Sequence, residues 1–145
     1  MRIYQAGPLF SEAEIRWHQA FKAKLTEAGY DVLWPGEFFT QEEINAWGPE
    51  APKRIMEQDS TAIDQSDAVV ALLDGAQVDD GTAWEIGYAY AKGIPVIGIR
   101  TDFRRGGDTP ASCVNAMFEG SCKSIVRDVE GVLDALKYLQ NHRSG

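Results

Sequence analysis

In residues 67–73, DAVVALL, Asp67 is followed by an uninterrupted apolar run too short to make a helix of its own. A strand with one face in water alternates apolar and polar side chains. A continuous run is buried on both faces, and the usual setting for that is the middle of a parallel sheet covered by helices. The rest of the chain fits this frame. RIYQA (2–6), YDVLWP (30–35), IPVIGI (94–99) and a short apolar stretch at 124–126 read as further strands. Helical patterns separate them. Ser11 and Glu14 form a capping box, and Trp17, Ala20, Phe21, Leu25 and Ala28 follow at helical spacing until Gly29. Further helices are expected over 52–65, 81–92 and 128–141, the last with Val129, Val132, Leu133 and Leu136 on one face.

Strands alternating with helices give an α/β fold, an open parallel sheet with helices on both faces. Five strands suit the flavodoxin-like, doubly wound order 2-1-3-4-5. No internal repeat or linker divides the chain, so residues 1–145 are expected to form a single domain. The irregular segment, Pro35 to Pro52, holds Phe38, Phe39 and Trp47 and has room for a short helix at 41–46. Structureless segments of this length are usually functional or disordered, and its aromatic side chains either form a lid over a flat ligand or pack on the core or a subunit interface.

Several function classes recede at this stage. A net charge of −8 disfavours nucleic acid as a partner. Arg100, Arg104 and Arg105 make a local basic spot that reads as a solvated loop. No apolar run approaches the ~20 residues that cross a bilayer, so no membrane partner is expected. The start, MRIYQAGPLF, runs directly into a strand pattern without a secretion signal, which suggests a cytoplasmic protein. Cys113 and Cys122 match neither a zinc site nor a disulfide framework and read as reduced thiols. His18 and His142 fall on helices, far in sequence from the acidic residues. Neither a metal nor a cofactor is expected.

A doubly wound sheet binds its ligand outside the carboxyl ends of strands 1 and 3. The loops expected there are AGPLFS after strand 1 and LDGAQVDDGT after strand 3. The second leads into DDGTAWEIGYAYAKG, whose start carries Asp79, Asp80 and Glu85. Glu85 has two readings. TAWE fits a capping box with Thr82 as the N-cap, which would make Glu85 structural. Alternatively Glu85 is a reagent: Gly81 permits close approach of a ligand, and IGYAYA is apolar or small on every side, so the helix is expected to be buried. The positive helix end would keep such a partly desolvated carboxylate ionised, as a nucleophile requires.

Asp59 shares a helical stripe with Ile55, Ala62 and Ile63. It is either a structural hydrogen-bonding group or a carboxyl with a raised pKa, fit to donate a proton. Tyr4 lies in strand 1, just before the first loop, and taken alone reads as a core tyrosine. One ionised and one protonatable carboxyl suit glycosyl chemistry, where a carboxylate traps an oxocarbenium-like centre and an acid assists the leaving group.

The stretches IYQAGPLF, EQDSTAID, SDAVVALLDG, DDGTAWEIGYAYAKGIPV and VNAMFEG, in this order and spacing, resemble the nucleoside 2-deoxyribosyltransferases and the related deoxynucleoside monophosphate N-glycosidases. The resemblance implies that Glu85 attacks C1′ of a 2-deoxyribose, that Tyr4 orients it, and that Asp59 is the candidate proton donor. It places Asp79 at the sugar 5′-hydroxyl. It has Asn115 reach the 5′ end from a neighbouring subunit of a homo-oligomer. Gly7, Phe10, Gly81 and Met117 complete the substrate-binding set. The partners implied are a 2′-deoxynucleoside and a free nucleobase, in nucleotide salvage.

The monophosphate hydrolase branch is the alternative enzyme. It needs phosphate donors, whereas AGPLFS supplies Pro8 and Phe10, and Asp79 would repel a phosphate. A non-catalytic nucleotide-binding or receiver-like module, with Asp74 as the phosphorylated residue, is the alternative of another class.

Overall fold

The computed structural model describes residues 1–142. At its centre is the five-stranded, all-parallel sheet in the expected order 2-1-3-4-5. Its strands are β1 (Arg2–Ala6), β2 (Asp31–Leu33), β3 (Ala68–Leu72), β4 (Val96–Ile99) and β5 (Ser124–Val126). Around it lie α1 (Glu12–Glu27), α2 (Gln41–Trp47), α3 (Ala51–Asp64), α4 (Asp80–Ala91), α5 (Ala116–Ser121) and α6 (Val129–Asn141). The short α5 has no counterpart in the sequence reading, because its six residues are too few to show a helical period.

The period of two sorts β3 between two cores. Ala68, Val70 and Leu72 face α1 and α6, packing with Phe21, Leu25, Val132 and Leu136. Val69, Ala71 and the following Leu73 face α3 and α4, packing with Ala62, Ile63, Ile86 and Ala89. All five strand residues are buried, as the continuous apolar run requires. Each fully buried isoleucine or leucine here contributes roughly 1.5–3 kcal/mol of burial free energy. The same alternation turns Tyr4 toward α3 and α4, whereas Gln5 points to the other face and meets His18 of α1.

The capping box of α1 is present in full: Ser11 Oγ accepts from Glu14 N–H, and Glu14 Oε2 accepts from Ser11 N–H. Glu14 Oε2 also accepts from Phe10 N–H. One carboxylate thus takes two amides, those of Phe10 and Ser11, at the end of the loop that follows β1. Two expectations change. The outer side of α4 is not buried: Ile86 and Ala89 face the core, but Trp84, Gly87 and Tyr90 are exposed. Arg100 is not a solvated loop residue either. It is 2% exposed, and its guanidinium donates to the carbonyls of Leu73, Gly75 and Arg104. Among the described residues no helix is long and apolar enough to cross a membrane.

Candidate active site

Asp79 governs the start of α4. Its Oδ2 accepts from the backbone N–H of Thr82 at 2.9 Å and from the Thr82 hydroxyl at 2.8 Å. Asp79 is therefore the N-cap, and Thr82 is the buried third residue of the helix. This overturns the capping box built on Thr82. Glu85 lies in the second turn, too far along to reach back to the cap, and its carboxylate is free for another partner. That partner is Tyr4: the buried phenolic hydroxyl donates to Glu85 Oε2.

Glu85 opens onto a cavity of about 480 Å³ at the carboxyl edge of the sheet. Gly7 and Phe10 border it from the loop after β1, Asp59 from α3, and Asp79 and Gly81 from the start of α4. The structure thus gathers Tyr4, Gly7, Phe10, Asp59, Asp79, Gly81 and Glu85 around one space, at the β1/β3 switch point. Gly7 sits there because the His18 imidazole fills the room a side chain would need: a Cβ at Gly7 would come within 2.4 Å of its Cε1.

Electrostatics modify the expected division of labour. Burial pushes the Glu85 carboxyl up to about 8; the Tyr4 hydrogen bond opposes this, and the negative charges of Asp59 and Asp79 add to it. The helix end does not hold Glu85 ionised, because the dipole's influence is confined to the first turn. Burial also raises Asp59, to about 6. With burial as the main cause and the neighbouring carboxylates adding to it, the Tyr4 phenol is held far above its usual range and remains a donor. Glu85 and Asp59 are thus both partly desolvated acids. Between about pH 6 and 8 the two together carry one proton. Glu85, raised further than Asp59, is the preferred holder of that proton; in the form with the proton on Asp59, the Glu85 carboxylate can attack an electrophilic carbon while its neighbour protonates the leaving group.

Two expected residues lie elsewhere. Asn115 and Met117 border a different cavity, of about 680 Å³, on the other flank of α4. There Asn115 caps α5 by accepting from Met117 N–H at 2.9 Å, and Met117 is 74% exposed. Within this chain neither reaches the space in front of Glu85. The aromatic residues of 35–50 do not form a lid. Phe38 packs on the core, Phe39 meets Trp47 edge-on at 4.7 Å, and Arg54 lies over Trp47. Of that segment only Pro35 borders the cavity. Asp74 is engaged too: its carboxylate accepts from the N–H groups of Thr101 and Asp102 and from the Thr101 hydroxyl. Asp74 thereby ties the loop after β3 to the loop after β4.

Sequence reasoning missed the apolar walls: Leu9, Pro35, Pro52, Ile55, Met56 and Trp84. One signal was available. Met56 and Trp84 are large apolar residues flanking a helical stripe and a helix start that both carry an acid. Among the described residues no cationic side chain borders the cavity, and no group of three His, Cys, Asp or Glu is placed to hold a metal ion.

The family model for nucleoside 2-deoxyribosyltransferases matches residues 3–117. Among solved structures, a conserved protein from Enterococcus faecalis V583 aligns at 32% identity with a TM-score of 0.81, over 95% of this chain and 98% of that one. The 2-deoxyribosyltransferase of Bacillus psychrosaccharolyticus aligns at 24% identity with a TM-score of 0.71, over 92% and 91%. A CMP N-glycosidase of Clostridium botulinum aligns at 21% identity with a TM-score of 0.62, over 95% and 99%. The last two likenesses speak for a shared fold. The chain is also 38% identical, over 99 residues, to an uncharacterized protein of Ureaplasma parvum; the match covers 63% of this chain and 60% of that protein. It is 33% identical over 107 residues to an uncharacterized protein of Schizosaccharomyces pombe, of which the match covers 51%. The chain thus spans little more than half the length of the curated relatives it matches.

Proposed function

Because the chain belongs to the nucleoside 2-deoxyribosyltransferase family, a family of glycosyl-transfer and N-glycosidase enzymes, we propose that it moves 2-deoxyribose from one nucleobase to another through an ester on Glu85. A carboxylate oxygen of Glu85 attacks C1′ of a 2′-deoxynucleoside and the C1′–N bond breaks. The base leaves with the bonding electrons and takes a proton from Asp59. A ring nitrogen of a second base then attacks C1′, the ester bond breaks, and the proton returns to Asp59. Water opening the same ester gives slow hydrolysis.

The observation that carries this reading is the Tyr4–Glu85 contact at the wall of a cavity that also holds Asp59. The hydroxyl fixes one carboxylate oxygen and leaves the other for C1′. The preference for a free 5′-hydroxyl over a 5′-phosphate has its own support. Asp79, Asp59 and Glu85 make the cavity acidic, and the amides of Phe10 and Ser11 are already taken by Glu14. A phosphate there would meet negative charge with those two amides already engaged. Asn115, remote from Glu85 in its own chain, fits a homo-oligomer in which it approaches the sugar of a neighbouring subunit.

The test feeds deoxyinosine and adenine and measures deoxyadenosine, hypoxanthine and free deoxyribose. Deoxyadenosine should accumulate with ping-pong kinetics, and Glu85→Ala should abolish it. Brief incubation with a deoxynucleoside, acid quench and peptide mass analysis should place a deoxyribosyl ester on the peptide containing Glu85. Free sugar as the sole new product across several acceptor bases would make the chain an N-glycosidase. Turnover by Glu85→Ala at a tenth of the wild-type rate would remove Glu85 from the chemistry.

A further inference from the structure

Of the two histidines, His142 is exposed and His18 is fully buried in α1. The His18 ring packs edge-on against Trp17 at 5.1 Å and lies within 19° of parallel to Trp34. Gln5 of β1, equally buried, fixes its tautomer. The Gln5 amide nitrogen lies 2.9 Å from Nδ1 and 2.9 Å from the His18 carbonyl oxygen. A carbonyl only accepts, so the Gln5 amide donates to both, and Nδ1 is an acceptor. The neutral ring then carries its proton on Nε2. Burial favours that neutral form, pushing the imidazole down to about 4, while the Pro8 carbonyl and the Glu14 charge oppose it.

Nε2 faces the loop after β1. A Cβ on Gly7 would lie 2.5 Å from it, so the loop backbone rests directly on the ring. Proline has no N–H, so Pro8 offers its carbonyl to the Nε2 proton. That carbonyl is near enough to favour the proton, although Nε2 completes no hydrogen bond of good geometry. One turn earlier on α1, Glu14 holds the Phe10 and Ser11 amides. Two side chains of one helix thus hold the loop at both ends, and Gly7, Leu9 and Phe10 of that loop border the cavity. A buried ring with an unmatched donor costs stability where a hydrocarbon ring would not.

We propose that His18 is a positioning residue for this site: its imidazole, clasped by Gln5 with the proton on Nε2, is the seat that sets where Gly7, Leu9 and Phe10 stand around the substrate. It touches no substrate itself. Gln5 follows Tyr4 in β1, so the strand that orients Glu85 from one face seats the loop through the other. The seat follows from this geometry, and its effect on turnover rests on the glycosyl-transfer reading above.

Nitrogen-15 NMR of the wild type reads the tautomer. From about pH 6 to 8 the His18 ring should show Nε2 protonated and Nδ1 bare. A proton on Nδ1 in that range would overturn the seat. In kinetics, His18→Ala should lower kcat/KM for a deoxynucleoside by roughly 10- to 100-fold, most of it in KM, the effect of misplacing a wall by about 1 Å. His18→Gln keeps a donor for the loop and an acceptor for Gln5, and should recover most of the loss. His18→Phe fills the space with neither and should not. A wild-type KM in His18→Phe would reduce His18 to filler. Gly7→Ala should also raise KM, and adding His18→Ala should recover part of that loss, because the methyl group then has room. Simple additivity of the two would overturn the contact. Leu25→Ala, in the core on the same helix, should lower the melting temperature and leave KM unchanged. A KM rise matching that of His18→Ala would mean that α1 acts through stability alone. A wild type that turns over no deoxynucleoside would sink the glycosyl-transfer reading. The seat is then judged by the Phe10 amide, which should exchange with deuterium faster in His18→Ala; unchanged exchange would overturn it.

Discussion

The hydroxyl of Tyr4, in the central strand, donates to Oε2 of Glu85, in the second turn of α4. The sheet and the helix thus meet at one carboxylate, and the strand sets where its free oxygen points. Removing the donor tests this. Tyr4→Phe should move the alkaline limb of the kcat/KM profile to higher pH, because the Tyr4 hydrogen bond works against burial at Glu85, the higher of the two paired carboxyls. Turnover should fall by roughly 10- to 100-fold, the loss of one charge-assisted hydrogen bond of about 1.5–3 kcal/mol. A profile that keeps its shape and position would mean that Tyr4 only fills the core.

Glu85 and Asp59 should together give a bell-shaped profile. Attack needs Glu85 ionised, and leaving-group assistance needs Asp59 protonated, so the reactive pair carries one proton. With the two carboxyls raised to about 8 and about 6, kcat/KM should fall below about pH 6 and above about pH 8. Asp59→Asn removes the acid and a charge that raises Glu85. Its profile should rise with pH through the single midpoint of Glu85, lowered from about 8 by the loss of the Asp59 charge, and then stay level, with kcat reduced by roughly 10²- to 10⁴-fold. An alkaline fall that persists in Asp59→Asn would assign that limb to another group.

The same burial links stability to pH. Glu85 binds its proton more tightly folded, at about 8, than in an unfolded chain, at its ordinary value of 4.5. The native state therefore holds more protons in between. The stabilisation present below about pH 4.5 is lost as pH rises toward 8. Glu85→Gln cannot ionise and keeps an acceptor for Tyr4. Its melting temperature should match the wild type near pH 4.5 and exceed it at pH 8 to 9, by on the order of a few kcal/mol of unfolding free energy. Thermal melts of both proteins across that range provide the check, and parallel curves would contradict it.

Asp79 combines two roles that one substitution separates. Asn is as good a cap as Asp but carries no charge. Asp79→Asn should melt with the wild type and narrow the gap in kcat/KM between a deoxynucleoside and its 5′-monophosphate. Asp79→Ala should narrow the same gap and also lose about 1 kcal/mol of stability. If neither variant moves the ratio, the charge of Asp79 does not face the 5′ end.

The sequence showed the architecture because burial writes itself into periodicity. DAVVALL could hardly be anything other than a doubly covered strand, and the sheet carries it as β3. It also showed which acids to watch, since Asp59 broke an apolar stripe and Glu85 followed a glycine. It was less informative wherever two local patterns competed. Thr82 read as the N-cap from TAWE, but the chain path between β3 and α4 makes Asp79 the cap. The aromatic cluster of 35–50 suggested a lid, but Phe39 and Trp47 satisfy each other. The protonation of Glu85 depends on burial, a sum over neighbours that no local pattern contains.

The tie between the loops after β3 and β4 has a consequence for how the site moves. The amides of Gly75, Thr101 and Asp102 each donate to a carboxylate, and the Arg100 guanidinium ties the carbonyls of Leu73, Gly75 and Arg104 from beneath. Loop amides ordinarily exchange with solvent deuterium almost at once. These three should exchange on the slow timescale of the β3 and β4 amides. Motion at the cavity then belongs to its other shore, the glycine turn after β1 and the first turn of α3. A substrate would enter by displacing Phe10 and Met56 while the carboxylates of α4 stay still.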